Sequence, residues 1–288
     1  MAQLNNHGSV LGSMTMKRNK ILWDVLLAAL FPSLIAIPCL SAHNARAQRP
    51  SVGTTKTNGT AKDPPGEQAM PFRIGETLTY HVTWAGFSSA ATVELSVPER
   101  REILGWRTWH FRASAHTLSP LRSFMTVDDQ IDSYADAKTL ESRQYETHLK
   151  EMGSIENRIL HPSAIGQQRR TGIPVVAVMP GTLDPLGTLY ALRTVDWRQT
   201  PEFRSPLYDG QDVFEIRARQ EVPIETVAVD AGNFSAARIS IHLYRQGAEV
   251  TGESFSMWLA GDPERTPVLL QAEMPLGSVR VELASARR

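Results

Sequence analysis

Alternating apolar and polar residues run through most of the chain after residue 72 and predict β-strands. Leu78, Tyr80, Val82 and Trp84 share one parity, and polar residues occupy the positions between them. Successive side chains of a strand point to opposite sides of a sheet, so this pattern is typical of a strand with one buried and one wet face. We therefore expect these four apolar side chains to be buried.

Two more segments repeat this alternation at hairpin spacing. Residues 91, 93, 95 and 97 are apolar in the first, and Trp109 and Phe111 lead the apolar set in the second. Gly86 separates the first strand from the next. Further strands are predicted at about 141 to 150, 155 to 161, 173 to 178, 212 to 220, 223 to 230 and 236 to 246, with turns at 209–210 and 231–233.

The end of the chain predicts strands paired around an Asp-Pro turn. Apolar runs lie on both sides of Asp262 and Pro263, and Val279, Val281 and Leu283 then alternate with polar residues. Such a run is typical of an antiparallel sheet rather than of an active site.

One segment, residues 184–193, predicts a short helix instead. Asp184 is a helix-capping residue, Pro185 occupies the first helical position, and Arg193 lies in the last turn. Packing of this helix on the sheet would cover an otherwise open sheet face. The side chains expected to make that contact are Leu186, Leu189, Tyr190 and Leu192.

Four pieces of the chain, in order, resemble the DUF3108 family of bacterial envelope proteins. They are residues 72–86, 184–193, 208–210 and 258–268, the last with the order Trp-Leu-x-x-Asp-x-x-Arg-x-Pro-Val. The chain departs from the usual family pattern at Gly187 and at residues 260–261, which weakens a catalytic role at these places.

The resemblance implies an exported, β-rich domain without an assigned activity. By fold-level analogy it is similar to the curved half-barrels of lipoprotein carriers. The expected fold is mainly β, with a single antiparallel, curved sheet or half-barrel and one short helix packed on it.

Residues 1–47 have the pattern of a signal peptide. Basic residues at 17, 18 and 20 precede an apolar run, and Ala45-Arg46-Ala47 supplies a small-x-small cleavage site. We expect cleavage after Ala47 and a periplasmic location. Two alternatives stay open: a retained membrane anchor, because the run approaches the roughly 20 residues that span a bilayer, and a lipoprotein carrying its lipid on Cys39. The true start is Met1, Met14 or Met16.

Cleavage would leave about 240 residues, with a flexible linker at 48–70 and a single β domain at 71–288. The leader carries four basic residues and one acidic residue, and the whole chain has a formal net charge of +0, so the mature chain has a net charge near −3. Nucleic acid is therefore not an expected partner. The sole cysteine, Cys39, leaves with the leader, which excludes a disulfide or a thiol nucleophile in the mature protein.

The candidate catalytic and metal-binding residues are too far apart along their strands to act together. His110 and His116 would lie roughly 20 Å apart on one strand, too far to share a metal ion, and we expect both on the surface. Asp128 and Asp132 would lie about 13 Å apart, beyond the roughly 5 to 9.5 Å of paired glycosidase carboxylates. These two and Asp129 therefore predict a solvated strand or turn.

Other motifs indicate structure rather than chemistry. Residues 86–90 resemble a nucleophile elbow but lie between two predicted strands, where a turn is expected. Asp262 and Arg265 predict an ordinary exposed ion pair, and Asp184 a helix cap. No Walker, dinucleotide-binding or His-Glu-x-x-His motif occurs in the sequence. We expect no cofactor, no metal and no enzymatic activity.

Two classes of function remain. The first is a module that binds a lipid or another apolar small molecule in the curved sheet beneath the helix. Its candidate ligand-binding residues are Tyr80, Trp84, Trp109, Phe111, Leu186, Leu189 and Tyr190. The alternative for these side chains is a filled core. The second class is a pocketless assembly or structural protein of the cell envelope that contacts another envelope protein. Membrane contact is expected only through an uncleaved leader.

Overall fold

The computed structural model describes residues 69–84, 86–164, 174–251, 254–274 and 277–288. The predicted signal peptide and nearly all of the predicted linker lie outside the described residues, as does Cys39. Within these ranges, no helix combines the length and the apolar character that crossing a membrane requires.

The described residues form one large antiparallel sheet of thirteen strands, a separate pair of short parallel strands and one α-helix. The strands are β1 Thr77–Trp84, β2 Phe87–Ile103, β3 Trp106–Thr117, β4 Asp128–Asp136, β5 Ser142–Glu151, β6 Ser154–Leu160, β7 Pro162–Ala164, β8 Val176–Val178, β9 Phe203–Tyr208, β10 Val213–Val229, β11 Gly232–Arg245, β12 Ala248–Glu249, β13 Ser254–Ala260, β14 Pro267–Met274 and β15 Gly277–Arg287. The helix, α1, is Pro185–Thr194, and Leu121–Ser123 form one turn of 3-10 helix.

The strand order of the large sheet is β6-β5-β4-β3-β2-β1-β15-β14-β13-β11-β10-β9, and β12 pairs with β11 beside this path. Most neighbours are consecutive hairpins, whereas the pairing of β1 with β15 joins the two ends of the domain. In β15, Val279, Val281 and Leu283 are buried, which confirms the alternation predicted for the last strand.

The sheet curves without closing into a barrel, and its two ends approach each other at one point. The backbone N–H of Ser142, on β5, donates to the carbonyl of Thr182 (3.0 Å). Leu183 donates to Pro206 and accepts from Tyr208, both on β9, at 2.9 Å. A short extended segment before α1 therefore ties β5 to β9.

Most predicted strands are present, and the mainly β fold with one helix is confirmed. The prediction of separate strands at 212–220 and 223–230 is wrong, because β10 runs continuously through both. Irregular pairing with β11 between Gln220 and Glu225 absorbs the break in alternation. Of the predicted strand at 173–178, Val176–Val178 form β8 in the separate parallel pair, and residue 173 lies outside the described ranges. Strand β9 was not predicted because Pro206 interrupts its pattern.

The core lies between the inner face of the sheet, which we define as the face covered by α1, and the helix itself. Helix α1 packs on β3, β4 and β9. Its residues from Pro185 to Arg193 are all buried. A helix buried all round belongs to the core rather than to the surface, so α1 is an integral part of the packing.

Candidate functional site

The aromatic side chains predicted to bind a ligand meet beneath α1. Phe72 makes edge-to-face contacts with Trp109, Phe111 and Tyr190, with ring centroids 5.1 to 5.2 Å apart. The rings of Phe111 and Tyr190 stack at 3.8 Å. Phe72 is not among the side chains that alternation selects, because it precedes the first strand. Its position at the start of the family-like segment is the signal that could have identified it.

The other predicted ligand-binding side chains are also placed in or beside the core. Tyr80, Leu186 and Leu189 are buried, whereas Trp84 is half-buried at the end of β1 and packs against the core from its edge. The Tyr80 hydroxyl donates to the carbonyl of Pro267 at 2.8 Å. Burial raises the pKa of Tyr80, which keeps this hydroxyl protonated and able to donate.

Asp184 confirms the predicted helix cap and has a further role. One carboxylate oxygen accepts from the backbone N–H of Gly187 at 2.7 Å. The other accepts from the hydroxyls of Ser133 (2.7 Å) and Ser142 (2.6 Å), on β4 and β5. Burial raises the pKa of Asp184, and these hydrogen bonds oppose the rise. The cap therefore also fastens the start of α1 to two strands.

The other end of α1 is held by a fully buried ion pair. Arg193 donates to both carboxylate oxygens of Glu76, at 2.6 and 2.9 Å. It also donates to the carbonyls of Pro71 (2.9 Å) and Glu264 (3.0 Å). All hydrogen bonds of this guanidinium reach segments distant in sequence, so Arg193 joins the start of the domain, the helix and the turn after β13. Sequence reasoning assigned Arg193 only to the end of the helix.

The turn after β13 does not contain the predicted Asp262–Arg265 ion pair. Asp262 instead accepts from the hydroxyl of Thr266 at 2.6 Å and pairs with Arg288 at 2.9 Å. Arg265 donates to the carbonyls of Arg193 (3.1 Å) and Val195. The arginine turns toward the C-terminal end of α1 because the last carbonyls of a helix lack partners within it.

A second group of polar side chains lies on the outer face of the sheet, opposite α1. This outer polar cluster consists of His110, Arg112, Asp132, Glu146 and His148 from β3, β4 and β5. Nε2 of His110 lies 2.5 Å, and Nε of Arg112 2.7 Å, from the same oxygen of Asp132. Nε2 of His148 lies 3.3 Å from Glu146. Strand pairing brings these residues together across three strands, so spacing along one strand could not reveal them.

Two expectations about this face are wrong. His110 was expected on the surface and Asp132 in solvent, yet both are buried. The ring of His110 stacks on that of Tyr134 with centroids 4.5 Å apart, and the side chains of Arg112 and Gln130 contact Asp132. Burial raises the pKa of Asp132, but hydrogen bonds, first from His110, outweigh it and hold the pKa below its ordinary value. The carboxylate therefore stays charged.

The outer polar cluster includes a possible set of metal ligands. Asp132, Glu146 and His148 each offer one atom, and these atoms lie within 4.8 Å of one another. However, Asp132 already accepts from His110, Arg112 and Gln130. The guanidinium beside it supplies the positive charge that a cation would bring. The expectation of a protein without a metal therefore stays a prediction.

Of the other acidic and histidine residues singled out in the sequence, some lie on the surface and one lies in the interior. His116 lies on the surface as expected, 3.1 Å from Asp128, and Arg122 makes a two-point contact with the same carboxylate. The hydrogen bond from Arg122 lowers the pKa of Asp128 to about 2. Asp129, by contrast, is buried on the inner face, so its expected solvation is wrong. Burial, assisted by the carboxyl of Glu151, raises the pKa of Asp129 to about 8.

A groove of about 280 Å³ lies at the β9 end of the sheet, away from the predicted ligand-binding residues. Met179 and Val213, which line it, are 60% and 46% exposed. Phe214 and Tyr244 contribute ring surface, and Arg204 and Glu215 contribute charge. The groove thus has a mixed apolar and polar lining.

Comparisons with curated proteins and solved structures supply no activity for the chain. No curated protein matches the chain significantly. A beta-barrel-like protein of domain of unknown function DUF1849 from Brucella abortus is similar to it, with 12% identity, 73% of this chain and 96% of that chain covered, and a TM-score of 0.41. Hypothetical protein CT021 from Chlamydia trachomatis is similar at 5% identity, with 75% and 88% covered and a TM-score of 0.34. These likenesses are too distant to indicate a function.

A family model also matches most of the chain. The model for DUF3108, described as a protein of unknown function, matches residues 79–284. This range begins in β1 and ends in β15, and it contains α1 and the turn after β13. Because the match covers well over half of the chain, the protein belongs to the DUF3108 family.

Proposed function

We propose that this protein is an exported, periplasmic, non-catalytic protein that acts through contacts of its sheet with another protein. The observation that carries this proposal is the packing beneath α1. The side chains best suited to an apolar site contact one another there, as the 3.8 Å stack of Phe111 on Tyr190 shows. A ligand between helix and sheet would have to displace these rings.

The hydroxyl groups in this region support the same proposal. Tyr190 donates to the carbonyl of Ser96 at 3.3 Å, and Tyr80 donates to Pro267. A polar group that loses its partner inside a core costs about 1 to 3 kcal/mol. Opening the region to an apolar ligand would add this cost to that of separating the rings. The aromatic cluster is therefore better suited to hold the helix on the sheet than to exchange a ligand.

The absence of catalysis is proposed from the structural contacts of three buried carboxylates, those of Asp184, Glu76 and Asp132. Asp184 caps α1, and Glu76 pairs with Arg193. Asp132 is engaged by His110 and Arg112. Each group is committed to a structural contact that a reacting group would need to leave.

Binding of an apolar ligand remains a second candidate, favoured by the groove at the β9 end. Its volume of about 280 Å³ is just below the roughly 300 to 1,000 Å³ of typical ligand pockets. The exposed side chains of Met179 and Val213 would be covered by an apolar molecule bound there. In this second candidate function, the ligand would bind in the groove and not in the aromatic cluster beneath α1.

Native mass spectrometry of the protein from its own envelope separates the two candidates. We expect the mass of the unliganded chain, and we expect no saturable binding of an apolar fluorescent probe. A bound lipid would contradict the contact proposal. Val213→Lys would then test the groove, with Ile224→Lys, at a position 74% exposed on the same strand, as the matched control.

A further inference from the structure

Strand β6 forms one end of the sheet and carries exposed apolar side chains. It pairs with β5 along one edge, and in the part of the chain that the structure describes no strand pairs with its other edge. Ile155 and Ile159, on its outer face, are 69% and 56% exposed. Edge strands commonly carry lysine or proline, which hinder pairing with another strand. Neither residue occurs in β6.

The sequence of β6 is complementary to itself in an antiparallel arrangement. If two copies pair with Asn157 opposite Asn157, Ile155 of each copy lies opposite Ile159 of the other. Glu156 of each copy then lies opposite Arg158 of the other. Apolar pairs and pairs of opposite charge directly across a ladder are both favourable. If the register shifted by one residue, each outer-face side chain of one copy would lie opposite an inner-face side chain of the other copy.

Glu156 and Arg158 already form an ion pair within one chain, at 2.5 Å. In the antiparallel register, the second copy would place a positive group beside each Glu156 and a negative group beside each Arg158. The result is an alternating set of four charges. The side chain of Leu160 contacts the β9–β10 turn near Gly210 from the inner face, whereas Ile155 and Ile159 lie on the opposite, outer face.

We propose that β6 pairs with β6 of a second copy of this chain, forming a two-fold symmetric dimer in which the sheet continues across the interface. This is addition of a strand to a sheet edge, with the backbone supplying hydrogen bonds and the side chains setting the register. The inference rests on the proposed contact function and names the partner.

Cross-linking tests the register. In the full chain with Cys39→Ser, Asn157→Cys introduces a single thiol on the two-fold axis, where opposed Cβ atoms lie about 4.5 to 5.5 Å apart. A short bismaleimide should join two chains in high yield. Ser154→Cys is the matched control, because each Ser154 lies opposite Leu160 and the two thiols would be roughly 20 Å apart. Equal cross-linking of both variants, or none, would overturn the proposed register.

Charge exchange tests the contact independently. Glu156→Arg gives one chain two positive groups, and Arg158→Glu gives another chain two negative groups. By sedimentation velocity, each variant alone should dimerise at least tenfold more weakly than the wild type, and an equimolar mixture should recover a heterodimer. Recovery cannot come from an ion pair within one chain, since neither variant retains one at these positions.

The outcomes separate this inference from the function on which it rests. A wild-type chain that stays monomeric at 100 µM, or a mixture that recovers nothing, would overturn the β6 dimer. A ligand-free mass would still leave the contact function standing with a different partner. A stoichiometric bound lipid would instead refute the contact function, whatever the state of association.

Discussion

The Glu76–Arg193 pair is the clearest example of a single contact that organises this domain. Burial of two charges is costly, and attraction offsets this cost only when the geometry and additional hydrogen bonds are good. Here both carboxylate oxygens are engaged, and the guanidinium also reaches two carbonyl groups. The pair connects the residues before β1 to the end of α1, so its loss should destabilise the whole domain.

We predict that Glu76→Gln and Arg193→Met each lower the free energy of unfolding by about 3 to 5 kcal/mol, because each leaves a buried partner unpaired. Urea unfolding measured by circular dichroism checks this. In the double variant Glu76→Gln/Arg193→Met, the loss should be smaller than the sum of the two, since the residues are in direct contact. Additive losses would show that the pair is not coupled.

Asp129 is a second single residue that allows a test, here of how the stability of the fold depends on pH. Its pKa in the folded state is about 8, above the ordinary value of 3.8, so folding favours the protonated carboxyl. Its contribution to stability is therefore full below pH 4 and lost as the pH rises through about 8. We predict that Asp129→Asn reduces the loss of stability between pH 5 and pH 9, measured as urea midpoints.

The control for this prediction is Asp128→Asn. The pKa of Asp128 is lowered to about 2, so its contribution is present above pH 4 and lost only in acid. This substitution should leave the slope between pH 5 and pH 9 unchanged. The same slope in Asp129→Asn and the wild type would show that Asp129 does not titrate in this range.

At the scale of elements, α1 depends on the sheet and the sheet depends on α1. A ten-residue helix is marginal in water without packing. This helix is fixed at its start by Asp184, at its end by Arg193 and along its length by buried side chains. In return it covers the inner face of β3 and β4. The helix should therefore unfold together with the sheet.

We predict that Leu189→Lys destabilises the domain by about 3 kcal/mol or more, because it removes a buried apolar side chain and places a charge in the core. Ile224→Lys, the matched change at an exposed position, should stay within about 0.5 kcal/mol of the wild type. Thermal unfolding of the two variants gives the comparison. Similar melting temperatures would show that α1 is not part of the cooperative core.

At the scale of the whole molecule, a curved sheet presents one face to α1 and the other to its surroundings. The inner face is occupied by core side chains, and the outer face carries the outer polar cluster and the isoleucines of β6. Contact with other molecules is therefore expected at the outer face and the sheet edges. This arrangement suits the proposed association with another protein.

Export has its own test. We predict that intact-mass measurement of the protein from its native host places the N-terminus at Gln48, because the signal peptide pattern ends at Ala47. A mature form that retains Cys39 with acyl mass would indicate a lipoprotein instead. A form that retains the whole apolar run would indicate a membrane anchor.

The local elements of this protein could be predicted from its sequence, because the periods that define them are local. The alternation in β1, β3 and β15 and the cap of α1 each span a few residues. Strand β10 was divided in error because its irregular pairing breaks the alternation while the backbone continues. Strand parity also indicated which face Tyr80, Trp109 and Phe111 would occupy.

Only the tertiary structure decided what covers each face and which distant residues meet. Parity placed His110 on the polar face, but the stacked ring of Tyr134 and the carboxylate of Asp132 bury it there. Glu76 and Arg193 are separated by 117 positions, and their pairing depends on how the fold brings the residues before β1 to the end of α1. The sequence by itself determined most of the strands, the helix and the family, because these depend on local order. Burial and partner choice depend on neighbours in space, which strand pairing and helix packing supply.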